Sequence, residues 1–262
     1  MNPNQGCVRP DAPACRKRLR FVVLLAPLAG LFGCGRVPGQ FQIVNNQVPT
    51  TTCSIPVEET VYQGQGVLDV SLVRGGAEAA FFVYPLIENN LPGSSGDGGD
   101  PNKIFLSSFA VDISELTGPT DATTLIDALG NDSTTSSLLH YRTPWSGSVG
   151  SGGGKVSAWV VAFPVELASR LAVSQALTAS PSLWINLRVG AFGSTTTRDI
   201  ESDPFDYPIS ICAGCLIHQV QPCPYTSPPT YTGNPCNVAQ DAPVDCCAAG
   251  NDLICPPTVS GQ

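Results

Sequence analysis

The chain has 262 residues, with 13 Lys and Arg against 21 Asp and Glu and a formal net charge of −8. An acidic balance of this size disfavours nucleic acid and anionic lipid head groups as electrostatic partners. Only 13% of residues are charged, while Gly (26), Pro (24) and Cys (11) are abundant. That profile fits a turn-rich extracellular β protein and excludes the usual make-up of a helical cytosolic enzyme.

The first segment carries a basic head, Arg16-Lys17-Arg18-Leu19-Arg20, then an apolar stretch from Phe21 to Phe32, then Gly33-Cys34-Gly35. A basic head, an apolar middle and a small residue before the cut mark a secretory signal. As a helix this stretch would extend about 20 Å, short of the roughly 30 Å hydrocarbon core of a bilayer. With Leu31 and Gly33 ahead of it, Cys34 resembles the lipid-bearing cysteine in the lipobox of bacterial lipoproteins. The resemblance implies removal of residues 1–33, a diacylglyceryl group on the Cys34 thiol, and attachment to a membrane through that N-terminal lipid. Gly35 is similar to the family's outer-membrane default. From Cys34 onward the formal charge is −12.

Cysteine parity agrees with that reading. Cys7 and Cys15 leave with the signal and Cys34 takes lipid. Cys53, Cys212, Cys215, Cys223, Cys236, Cys246, Cys247 and Cys255 remain, an even eight. In an exported chain these are candidates for up to four disulfides, because the periplasm and cell surface are oxidising. Seven of the eight lie between Cys212 and Cys255, so full pairing needs Cys53 to bond into that cluster. Cys246 and Cys247 are expected to take separate partners, since a ring between neighbours strains the peptide joining them. Cys212-Ala213-Gly214-Cys215 lacks the second CxxC or His pair of a zinc site. An extended segment follows it where a thioredoxin-like site needs a helix.

Residues 34–52 read as a lipid-anchored tether with an edge strand at 41–44. Val67 to Val73 alternates and Ala79 to Ile87 follows a turn, which predicts a hairpin; Pro85 requires an edge or a bulge there. Loops are expected over 88–102 and 133–154. Further strands are expected over 104–113, 155–163, 182–192 and 205–212, with short helices over 121–129 and 165–177. Residues 53–212 thus predict an all-β, Ig-like β-sandwich of about 6–8 strands with one or two short helices. Residues 213–262, rich in Cys and Pro, predict a disulfide-stapled, irregular C-terminal tail.

Motifs for catalysis are missing from the sequence. The two histidines, His140 and His218, sit in no recognisable pattern, and neither G-x-S-x-G nor H-E-x-x-H occurs. The run from Gly150 to Lys155 fails the phosphate-loop pattern at Val149 and Val156. Asp97 and Asp100, even with Glu88, Asn89 and Asp132, fall short of the oxygen ligands calcium takes. Asp199, Glu201, Asp203 and Asp206 read as a solubilising cluster. No catalytic residue, cofactor or metal set is expected. Tyr141 and Trp145, beside His140, form a speculative ligand loop, while Trp159 and Trp184 are expected to pack. The expectation is a non-enzymatic surface-interaction or structural module of the bacterial envelope with a protein or polysaccharide partner. The alternatives are a carbohydrate-binding module and an envelope hydrolase using loop carboxylates.

Overall fold

Strand β10 (Ser182–Ser194) shows the pattern on which the fold is built. Leu183, Ile185, Leu187, Val189 and Ala191 are buried, and Trp184 and Arg188 between them are exposed. One buried sheet face imposes this period of two. In the computed structural model β10 lies between β12 (Phe205–Cys212) and β6 (Ile104–Glu115). Strand β7 (His140–Val149) extends the sheet beyond β6, and β11 (Asp199–Glu201) adds to β10. At the opposite edge β3 (Gly66–Asp69) runs parallel to β12. Along β6 the buried positions change phase, from Ile104 and Leu106 to Phe109, Val111 and Ile113. A register shift against β7 between Leu106 and Ser108 is the bulge that allows it. The structure describes residues 39–57, 60–75, 80–93, 99–116, 132–173, 182–250 and 252–256, with Leu125, Leu129 and Leu177.

A second sheet orders β2 (Tyr62–Gln63), β1 (Phe41–Gln47), β5 (Pro85–Asn89) and β8 (Gly154–Ser157). Its Phe41, Ile43 and Ile87 belong to the same core cluster as the buried residues of β6, β10 and β12. Two short strands, β4 (Phe81–Val83) and β9 (Val160–Phe163), pair on their own. Helix α1 (Ser133–Leu139) begins where the Asp132 carboxylate accepts the Thr135 N–H, a side-chain N-cap. Helix α2 (Val165–Val173) buries Leu167, Ala168 and Leu171, the stripe expected of a helix resting on a core. Among the described residues no helix is long and apolar enough to cross a membrane.

The chain is β-rich, as composition predicts, but pairing departs from the sequence expectation in several places. The 67–73 and 79–87 hairpin does not form. Strand β3 ends at Asp69, whose carboxylate accepts the Ser71 N–H and hydroxyl and turns the chain into a 3-10 helix, Val70–Gly75. The second segment is cut at Tyr84: β4 pairs with β9, and β5 pairs with β1 and β8. Side chains make that switch possible. The Asn46 amide oxygen accepts the Tyr84 N–H, and the Gln47 N–H donates to the Tyr84 carbonyl. Pro85 then opens β5, a strand position that tolerates its missing donor.

The expected strand over 155–163 is likewise divided, between β8 and β9. The expected loop over 133–154 is α1, β7 and the turn into β8; along β7 the half-buried positions are Tyr141, Thr143, Trp145 and Gly147. Two of those four are small or polar, so the alternation carried little hydrophobic signal. From Phe41 the expected tether is a strand, paired on both sides rather than at an edge. The expected helix over 121–129 lies outside the described residues apart from Leu125 and Leu129, both buried. The tail is not irregular throughout: β13 (Ile217–Pro222), β14 (Val244–Ala249) and β15 (Asp252–Ile254) form a sheet. Its Val238, Ala239, Val244 and Cys246 join the main core.

Candidate functional site

The eight cysteines after Cys34 pair as Cys53–Cys236, Cys212–Cys215, Cys223–Cys247 and Cys246–Cys255. Cys53 therefore reaches the tail, and the neighbours Cys246 and Cys247 go to different partners. Cys34 and residues 1–33, the expected signal, lie outside the described residues. Asp69 stands within 4.8 Å of the Cys212 and Cys215 sulfurs. Those sulfurs are bonded to each other, so the group offers no thiolate to a metal. The fully buried Asp69 carboxylate instead accepts the Gly214 N–H at 2.7 Å and the Leu216 N–H at 2.9 Å, holding the CxxC turn in place.

The tail also forms one wall of a cleft. Residues 239–241 lie along the edge of β3, with the Asp69 N–H donating to the Ala239 carbonyl and the Asp241 N–H to the Val67 carbonyl. Gln240, fully buried, reaches both the N–H and the carbonyl of Phe82 in β4, as a neighbouring strand would. Asp241 follows at φ 63°, in the left-handed region that Asp tolerates better than most residues. The cleft it enters has a volume of about 190 Å³. Its polar lining is Asn46, Gln47, Gln63, Tyr84, Asn234 and Asp241.

Asp241 is the electrostatic centre of this cleft. Its Oδ1 accepts the Val67 N–H at 2.7 Å and its Oδ2 accepts the Gln240 side chain at 2.9 Å. Burial outweighs these bonds and pushes the carboxyl up to about 6. Burial, and then the charge of Asp241, raises the Tyr84 hydroxyl to about 12. Gln47 is 1% exposed; its Nε2 donates to Asn45, while its Oε1 is buried with no hydrogen-bond partner. Among the described residues no Lys, Arg or His lines the cleft. Sequence reading passed over Asp241 because the groups that bury it come from distant strands. The only local cue was an apolar Val238-Ala239 pair inside a polar run.

Asp241 reverses the usual contribution of a carboxylate to stability. Its folded pKa of about 6 lies above the roughly 3.9 of an unfolded Asp. Between those values the folded chain keeps a proton that the unfolded chain has lost. The stability it contributes is present below about pH 4 and is lost as pH rises through about 6. The stability of Asp241→Asn relative to the parent is expected to rise by on the order of 2–3 kcal/mol between pH 4 and pH 8. Urea unfolding of both proteins at the two pH values checks this. A difference that does not change with pH would contradict it.

The remaining described candidates make packing and turn contacts. Tyr141 and Trp145 occupy the half-buried face of β7, where Trp145 lines an open groove with Leu106, Ser107, Pro144 and Ser146. The Tyr141 hydroxyl donates to the Val161 carbonyl, and burial, then the Glu166 charge, raises its pKa. Trp145 meets Phe109 edge-on at 5.9 Å and lies across Gly147, where a Cβ would strike its ring. Trp159 and Trp184, expected to pack, are 57% and 39% exposed: Trp159, between β8 and β9, meets the Phe82 ring edge-on at 6.0 Å, and Trp184 lies on the outward face of β10. Asp97 lies outside the described residues. Asp100 accepts the Ser151 N–H and hydroxyl and so joins two loops, while Asp206 holds Arg188 and Asn186.

The histidines both face carboxylates. His140 Nδ1 is 2.9 Å from Asp112, with both side chains exposed. His218 Nδ1 is 2.9 Å from the buried Asp245. The backbone N–H of Tyr231 is the first cause that lowers the Asp245 pKa, with His218 and the Thr230 N–H contributing further. A buried carboxylate behind a half-exposed imidazole can orient it to take a proton. Among the described residues, however, no Ser, Thr or Cys side chain is hydrogen-bonded to His218. The Tyr231 ring packs on it at 4.4 Å, and the arrangement reads as the anchor of the 225–231 turn. No protein-family model, curated protein or solved structure matches this chain.

Proposed function

We propose that the protein is an exported module of the bacterial cell envelope, held to the outer membrane by lipid on Cys34, that binds or scaffolds rather than catalyses. The observation that carries this reading is the pairing of all eight later cysteines into four disulfides. Such bonds persist in oxidising compartments, and none of the eight is left over as a partner for Cys34. The anchor is strong, since lipid insertion contributes about 0.8 kcal/mol per buried methylene. The hydrolase alternative needs loop carboxylates gathered at one place. Here Glu88 binds Gln42, Asn90 and Lys155, and Asp132 binds Thr135 and Arg170, so each carboxylate is engaged in contacts of its own. The core shared by the two larger sheets supports the finer reading of an Ig-like sandwich, with β3 as a parallel edge strand.

Intact-mass analysis of the membrane-extracted protein tests the anchor. The expected species begins at Cys34, carries a diacylglyceryl mass, and lacks the eight hydrogens removed by four disulfides. Cys34→Ala is expected to leave the membrane fraction. A mature chain beginning elsewhere, or a Cys34→Ala protein that stays membrane-bound, overturns the proposal.

A further inference from the structure

We propose that the cleft at Asp241 is a binding site for a small primary ammonium ion. The lining is polar and, among the described residues, holds no cation: Asp241 supplies a carboxylate, and Gln47, also in the lining, carries a buried carbonyl oxygen without a partner. A buried acceptor left unpaired costs about 1–3 kcal/mol, so the site favours an occupant that brings donors. A carboxylate withdrawn from water favours an occupant that also brings positive charge. An ammonium group supplies both in compact form, with three N–H donors.

Size and donor chemistry exclude the main competitors. At about 190 Å³ the cleft is smaller than the roughly 300–1,000 Å³ of drug-sized pockets, so it takes a head group and a short stem. A divalent metal ion would want about six oxygen ligands, usually with several carboxylates among them. Among the described residues the lining has one carboxylate. A neutral polyol offers donors but leaves the Asp241 charge unanswered. Among the described residues the titratable groups that face Asp241 are Tyr84 and Tyr207, both neutral until strongly alkaline pH because burial raises them. Its remaining neighbours, Gln63, Gln240 and the Val67 N–H, are uncharged. Among the described residues Asp241 is therefore the group whose ionisation controls binding below neutral pH.

The test is an NMR titration of the mature, disulfide-bonded protein with ethanolammonium chloride, and with ethylene glycol as the neutral analogue of similar size. Saturable shifts of the Gln47 and Asn234 side-chain amides are expected with ethanolammonium at pH 7.5. Binding at pH 5 should be about tenfold weaker, as the carboxyl takes up its proton. Asp241→Asn should weaken binding by about tenfold or more. Because that variant also alters the contacts to Val67 and Gln240, Asn234→Asp provides a second reading. Asn234 Oδ1 accepts the Cys236 N–H at 2.9 Å, a bond that Asp keeps, and the added charge should tighten ammonium binding by about threefold or more. Equal shifts from ethylene glycol, no saturable shift with ethanolammonium, or no tightening in Asn234→Asp would each overturn the proposal. Membrane attachment plays no part in these readouts, so they stand or fall apart from the anchor.

Discussion

Replacing Cys53 and Cys236 together by alanine is expected to cost more stability than removing any other disulfide. The two residues are 183 apart in sequence, against 3, 24 and 9 for the other pairs. On the loop-entropy relation, the long closure contributes about 5 kcal/mol and the CxxC closure about 2 kcal/mol. For a domain of this size, each kcal/mol shifts Tm by about 2–4 °C, so a fall of about 10 °C or more is expected. The bond also ties together two segments that line the cleft, since Val48 and Pro49 precede Cys53 and Pro235 precedes Cys236. Thermal unfolding of this variant beside Cys212→Ala/Cys215→Ala decides the matter. A Tm loss no larger than that of the CxxC variant would contradict the ranking.

Asp69→Ala is expected to be nearly as damaging, for a local reason. The Asp69 carboxylate is fully buried and accepts four donors: the Ser71 N–H and hydroxyl, the Gly214 N–H and the Leu216 N–H. Alanine leaves those donors facing a void. Hydrogen bonds to a charged group are worth about 1.5–3 kcal/mol each and do not add fully, so a total loss of about 3–5 kcal/mol is expected. Asp69→Asn keeps acceptor oxygen but turns an NH2 group toward donors, and an intermediate loss follows. Urea unfolding measures both. A loss below about 1 kcal/mol for alanine would mean that water satisfies the CxxC turn.

The legible parts of the fold were those whose signal is local. Strand β10 was readable because one buried face repeats every second residue over its whole length. The turn into α2 was readable from Pro164 and the apolar spacing after it. Strand β7 was not, since Thr143 and Gly147 occupy inward positions that hydrophobicity does not mark. The hairpin failed because its partners were chosen elsewhere: Asn46 and Gln240 offer Tyr84 and Phe82 the bonds a ladder would supply. Both amides are buried, and nothing beside them in the chain announces it.

The candidate cleft was less legible still. Asp241 looked like one acid in a solvated tail, yet it bonds Val67, 174 residues earlier. Its neighbours Gln47, Gln63 and Tyr84 come from three separate segments of the first half of the chain.

Composition, cysteine parity and period-two patterning were enough to establish a β-rich, disulfide-bearing chain. Each is a property of one residue or of near neighbours, so the sequence carries it directly. Tertiary structure alone decided which strands pair, which cysteines join and where a carboxyl loses its water. Those outcomes depend on free energies shared among residues far apart, and burial belongs to the assembled core rather than to any stretch of it.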